Sequence, residues 1–186
     1  MRVAGLVLAA GEGRRLGQPK ALLEIDGERL VDRAVRVLRE GGCDPLYVVA
    51  GAAPIDLGGV TPVGNPEWST GMGSSVRRGL AAVAEDAVVV MVVDTPGIGA
   101  EVVRRLVEAY VKGATVAVAS YAGQPRNPVL LAREHWPPVA ELAVGDVGAR
   151  AFLARHPELV TEVECGDVAD PTDVDTPQDW ARLAGG

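Results

Sequence analysis

Short uninterrupted apolar runs alternate along this chain with segments whose apolar residues recur every three or four positions. Val3 through Leu8 is the first such run and reads as a buried strand. Leu30, Val31, Ala34, Val37 and Leu38 then fall at helical spacing, and Gly41–Gly42 ends the stripe. Leu46 to Val49 reads as a second strand. Val76, Leu80 and Val83 mark another helix, which Ser74 can cap and whose propensity Gly79 weakens. Val88 to Val93 is the clearest buried strand and ends at Asp94. Val102, Val103, Leu106, Val107 and Tyr110 form the next helical face. Thr115 to Ala119, Val129 to Leu131 and Val160 to Val163 read as further strands, and Gln178 to Leu183 as a closing helix. This alternation predicts an α/β fold, a single domain with a mostly parallel sheet flanked by helices on both faces. Such sheets bind ligands beyond the carboxyl ends of their strands, the edge at which the Gly11 loop and Asp94 both fall.

Size and charge narrow the picture. With 186 residues the chain can form one sizeable core, so one domain is expected over 1–186. A formal charge of −7 argues against an extended nucleic-acid surface but suits a free nucleotide held by a local basic loop. Lysine occurs only at positions 20 and 112, so Lys20 stands out among glycines and arginines. Cys43 and Cys165 lie far apart without metal spacing and read as free thiols of a reducing compartment. The apolar N-terminus lacks the organisation of a signal peptide, and Ala87 to Val93 is too short to span a bilayer. A cytoplasmic protein with no membrane and no nucleic-acid partner is the expectation.

The candidate chemistry is concentrated at positions 8–23, where Gly11, Gly13 and Gly17 accompany Arg14, Arg15 and Lys20 directly after the first strand. Glycines let backbone amides approach an anion, and the cationic side chains can neutralise phosphate. The spacing matches neither the dinucleotide fingerprint nor a P-loop, since the third glycine is one residue late and no hydroxyl follows Lys20. Solvent-facing arginines on a plain loop are the alternative. Asp94 reads either as a strand-end turn carboxylate or as a magnesium ligand. Asp175, within the acidic stretch Asp167 to Asp179, is either a solvated loop residue or a second metal contact. Asn65, Ser74 and Ser75 can orient a ligand through hydrogen bonds or can simply cap a helix. Trp68 and Met72 can pack on a flat ligand or fill the core. Arg126 can contact a phosphate or face solvent. His135 and His156 form no metal or nucleophile pair, and neither cysteine has an acid–base partner.

Several segments carry a resemblance to a known family. Leu8-Ala9-Ala10-Gly11-Glu12-Gly13-Arg14-Arg15-Leu16-Gly17-Gln18-Pro19-Lys20-Ala21-Leu22 resembles the signature LA(A/G)GxSxRxGxxKxL of the MobA-like nucleotidyltransferases. The stretch from Asn65 to Leu80, Gly145-Asp146-Val147-Gly148-Ala149-Arg150, and Asp173-Val174-Asp175-Thr176-Pro177-Gln178-Asp179 are similar to segments of its molybdenum cofactor cytidylyltransferases. The resemblance spans nearly the whole chain. It implies a Rossmann-like fold in which Leu8, Ala9, Ala10, Gly11, Gly13, Arg14, Lys20, Asn65, Gly71, Ser74, Ser75 and Asp94 hold the nucleotide. Arg15, Lys20 and Asp94 would be catalytic, and Asp94 with Asp175 would bind Mg²⁺. The implied reaction transfers CMP from CTP to phosphorylated molybdopterin and releases pyrophosphate. A molybdenum hydroxylase apoenzyme would be the downstream partner. Ala9-Ala10 in place of a glycine pair favours CTP over GTP within the resemblance. Gly13, Thr95, Gly97, Pro125 and Asn127 depart from the frequent family residues and leave acceptor selectivity open. Guanylyl transfer, transfer to another small phosphorylated acceptor, and a non-catalytic cofactor-maturation factor are the alternatives.

Overall fold

The computed structural model describes residues 1–185. Strand β1 (Val3–Ala9) is buried along its whole length, as its unbroken apolar run requires. A small two-stranded ribbon, β2 (Glu24–Ile25) and β3 (Glu28–Arg29), leads into helix α1 (Leu30–Glu40). Strands β4 (Leu46–Ala50) and β5 (Thr61–Gly64) precede helix α2 (Met72–Ala82). Then follow β6 (Ala87–Val92), α3 (Ala100–Val111), β7 (Val116–Tyr121) and β8 (Gln124–Ala132). Helices α4 (Trp136–Leu142) and α5 (Arg150–Arg155), strand β9 (Val160–Glu164) and helix α6 (Pro177–Ala184) complete the order.

Seven strands form one sheet in the order β5-β4-β1-β6-β8-β7-β9. Strand β8 alone runs against its neighbours, pairing antiparallel with both β6 and β7. The alternating faces of the strands divide the core in two. Val7, Val48 and Val89 meet Val31, Val35 and Leu38 of α1 and Val103 and Leu106 of α3. Leu6, Val49 and Val90 meet Val76 and Leu80 of α2, Trp136 and Val139 of α4, and Phe152 of α5. Helices cover both faces, as expected for a sheet of nearly continuous apolar strands.

The expected elements are present, with local differences. Helix α2 begins at Met72, so Ser74 lies in its first turn and does not cap it; the capping position is Gly71. Gly79 has a packing reason: a Cβ there would lie 2.5 Å from Leu6 Cδ2, so the missing side chain lets α2 lie close on β1. Strand β8 extends well ahead of Val129, because Gln124 to Asn127 form an exposed hairpin arm with β7. The edge strand β5 carries no apolar run. No helix among the described residues is long and apolar enough to cross a membrane.

Candidate active site

The chain leaves β1 for β4 on one side and later returns to β6 on the other. The crevice beyond the carboxyl end of β1 is therefore a topological switch point, where doubly wound sheets take their ligands. The loop after β1 closes on itself there. The Gly13 carbonyl accepts from the Leu16 and Gly17 amides, both at 3.0 Å. Gly13 has φ +64°, and a Cβ on it would overlap the Gln18 carbonyl oxygen. A serine side chain would not fit this turn as it stands.

Lys20 opens a single 3-10 turn, Lys20–Leu22, anchored by buried Ala21. Its ammonium lies 3.2 Å from Asp94 Oδ2 and 3.0 Å from Asp175 Oδ1. Asp94 follows β6, whereas Asp175 arrives from the far end of the sequence. The Val174 amide donates to the Asp94 carbonyl at 2.7 Å and docks the tail against the β6 terminus. A Thr176–Asp179 capping box then fixes the turn, with Asp179 Oδ2 also accepting from the Asp175 amide at 3.1 Å. Gly97 serves the same docking, since a Cβ there would run into the Asp170 carbonyl.

Electrostatics follow from this convergence. Burial pulls the Lys20 ammonium pKa down, but hydrogen bonds and charge from Asp175 and Asp94 outweigh it and hold it above the ordinary lysine value. Lys20 and then Arg15 hold the Asp175 carboxyl below the usual carboxylate range. Arg15 is itself in direct contact with Asp175, and Arg14 pairs with Glu12. Three cationic side chains thus gather around one loop of an otherwise acidic chain.

Two contiguous clefts surround the loop. The larger, about 420 Å³, includes Leu8, Ala10, Gly11, Gly13 and Arg14 on one side and Trp68, Gly71, Met72, Ser75 and Asp146 on the other. The smaller, about 190 Å³, is lined by Leu8, Ala9, Gly11, Gly13, Lys20 and Asp94 among others. Asn65 and Ser74 line neither. Both are buried, and Asn65 Nδ2 donates to Ser74 Oγ at 2.8 Å and Ser75 Oγ at 3.0 Å. They shape the cleft wall from behind, while Ser75 reaches the cleft. Arg15 stands beside the clefts, on Asp175. A third cavity of about 580 Å³, mainly apolar, opens beside the larger cleft and shares Met72 and Asp146 with it. Arg126 and Arg150 lie on its wall. Asp146 is absent from the site residues expected from the sequence, although its Gly145-Asp146-Val147-Gly148 turn is a usable signal.

Asp94 and Asp175 offer oxygen donors that already converge on one cation, the Lys20 ammonium. This donor set fits a hard divalent ion that completes its shell with phosphate oxygens and water. Among the described residues no cluster of three or more histidine, cysteine or acidic side chains has metal-binding geometry. A metal here would therefore depend on the nucleotide for further ligands.

Comparison with known proteins identifies the family. Residues 5–160 match the MobA-like NTP transferase domain. The chain is 38% identical to a nicotine blue oxidoreductase of Paenarthrobacter nicotinovorans, over 97% of this chain and 96% of that one. It is 35% identical to a molybdenum cofactor guanylyltransferase of Cereibacter sphaeroides, over 84% of this chain and 83% of that one. Rv0371c of Mycobacterium tuberculosis, solved in complex with manganese, superimposes with a TM-score of 0.81 at 28% identity, covering 100% of both chains. With a glycine-rich loop, a lysine and paired carboxylates at the switch point of its sheet, the chain belongs to the MobA-like NTP transferases, a family of nucleotidyltransferases.

Proposed function

We propose that this protein transfers CMP from CTP to the phosphate of molybdopterin and releases pyrophosphate. The observation that carries this reading is the Asp94–Lys20–Asp175 cluster beside the glycine-rich loop. Nucleotidyl transfer in molybdenum cofactor maturation accords with the guanylyltransferase relative. The choice of cytosine rests on Ala9-Ala10 and on the Asn65–Leu80 segment. On this reading the triphosphate lies along Gly11–Arg15 in the smaller cleft, and the nucleoside occupies the larger one between the loop and Trp68. The acceptor enters from the apolar cavity past Met72, with Arg126 and Arg150 available to its phosphate.

An acceptor phosphate oxygen attacks the α-phosphorus, and the bond from that phosphorus to the bridging β-oxygen breaks. Its electron pair leaves with pyrophosphate. No general base is needed, because the attacking phosphate is already ionised. Lys20 and Arg15 balance the charge that grows on the leaving group, and the loop amides hold the phosphates in line. A Mg²⁺ ion on Asp94 and Asp175, when bound, would neutralise phosphate charge. The chain's own contribution is to keep those carboxylates within reach of one point.

Pyrophosphate release, with mass analysis of the product, tests this reading. Purified protein with Mg²⁺ and molybdopterin is expected to yield the cytosine dinucleotide from CTP and no guanine dinucleotide from GTP. Product from GTP alone would replace CTP with GTP, and no product from either would refute nucleotidyl transfer to this acceptor. The oxidoreductase relative motivates a second reading, favoured by the apolar cavity beside the nucleotide cleft. There the cleft would bind a reduced nicotinamide nucleotide and the cavity a planar heterocycle that accepts hydride. Consumption of NADPH with a quinonoid dye, in the absence of pyrophosphate release, would establish that reading instead.

A further inference from the structure

Asp146 stands where the larger cleft and the apolar cavity meet. It belongs to the loop between α4 and α5, which is tied to the start of α2 by the Gly73 amide donating to the Gly145 carbonyl at 2.8 Å. Arg77 adds a bond to the Ala143 carbonyl. The carboxylate hangs over Gly71, and a Cβ built there would lie 2.7 Å from Asp146 Oδ1. Gly71 has φ +117°, so both its conformation and its missing side chain permit this approach. Arg14 lines the same cleft, but its guanidinium is paired with Glu12. The side chain of Asp146 is exposed to the cleft.

An ionised carboxylate only accepts hydrogen bonds and repels phosphate. With the phosphates at Lys20, the part of the nucleotide that reaches Asp146 is the nucleoside, packed along Trp68 and Met72. We propose that Asp146 selects the nucleobase by accepting a hydrogen bond from its amino-bearing edge. Cytosine offers its 4-amino group to such an acceptor, and guanine offers its ring N–H and 2-amino group. Uracil presents a carbonyl oxygen at the position of the cytosine amine, which a carboxylate repels. The inference rests on the nucleotidyl-transfer reading and adds to it the residue that distinguishes one base from another.

The test compares kcat/KM of the wild-type protein and Asp146→Asn with CTP against UTP and with GTP against ITP, which lacks the 2-amino group. Wild type is expected to prefer the amino-bearing member of its working pair by at least about tenfold. Asp146→Asn is expected to narrow that ratio by about tenfold, because an amide can donate to the carbonyl of the disfavoured base. An equal loss on both members, leaving the ratio unchanged, would overturn the proposal and make Asp146 a positioning residue of its loop. Calorimetric binding of CTP and UTP to both proteins supplies the same comparison without turnover. Binding that discriminates through Asp146 without any transfer would therefore reject the nucleotidyl-transfer reading and retain this one. Binding with no dependence on Asp146 would reject the role of Asp146.

Discussion

Lys20 occupies the point at which a cation is most needed. With Asp94 at 3.2 Å and Asp175 at 3.0 Å, its ammonium keeps two carboxylates from facing each other unscreened. Removing it should both slow transfer and expose an anionic pair. Lys20→Ala is expected to lower the transfer rate by about 10²–10³-fold at saturating CTP and Mg²⁺. The same variant should bind Mn²⁺ more tightly than wild type without nucleotide, as read by titration against the Mn²⁺ paramagnetic resonance signal. Unchanged Mn²⁺ affinity would mean that the carboxylates do not share a cation site. The pH dependence has a definite sign. The Asp175 pKa is lowered by Lys20 and Arg15, so its contribution to stability is present above the ordinary carboxylate pKa and is lost as pH falls through the lower folded value. The Tm difference between wild type and Asp175→Asn should accordingly be full near neutrality and shrink below about pH 4. A difference independent of pH would detach Asp175 from Lys20. Lys20, Asp94 and Asp175 were legible in the sequence because each pairs a charged residue with a strand end or a distinctive turn. Asn65 and Ser74 were less so, since their burial behind the wall depends on tertiary packing that no local pattern encodes.

At the scale of the element, helix α2 carries one wall of the larger cleft, and its closeness to β1 depends on Gly79. Alanine there would gain helix propensity but press a methyl group against Leu6, 2.5 Å from the ideal Cβ position. Overpacking costs about 1–3 kcal/mol against a propensity gain of about 1 kcal/mol, so Gly79→Ala is expected to lower Tm by a few degrees. A raised Tm would show that the helix can lift without penalty. The buried strands and α1 and α3 could be read from periodicity, because packing on both sheet faces writes continuous apolar runs and helical stripes. Strand β5, with the sequence Thr-Pro-Val-Gly, could not, being short and exposed at the sheet edge. The first half of β8 was hidden likewise: its polar residues and Pro125 form a projecting arm whose pairing with β7 comes from the hairpin and not from burial. The cap of α2 lies three residues ahead of Ser74, at Gly71, whose φ of +117° turns the chain into the helix without a side-chain cap.

Across the whole molecule, two distant parts of the sequence complete one site. The β1 loop supplies the cations, and the tail docked on Asp94 supplies the second carboxylate. A ligand that bridges both should stabilise the native state as a unit. CTP with Mg²⁺ at one hundred times its dissociation constant is expected to add about 2.7 kcal/mol and raise Tm by roughly 5–10 °C. UTP at the same concentration should give a smaller shift, and inorganic sulfate little. The fold class and the gathering of the Gly11 loop and Asp94 at the carboxyl edge of the sheet are legible in the alternation of apolar runs and helical stripes and in the two strand-end motifs. The base-reading wall did not, because Asp146 reaches the cleft only through a loop that α2 and α4 hold in place.

The most direct measurement is a crystal structure with CTP and Mn²⁺, located by the anomalous signal of the metal. A manganese peak within bonding distance of Asp94 and Asp175, with the triphosphate along Gly11–Arg15 and Lys20 turned onto its phosphates, is the expected result. A peak elsewhere, or a triphosphate lying outside the Gly11–Lys20 loop, would contradict it.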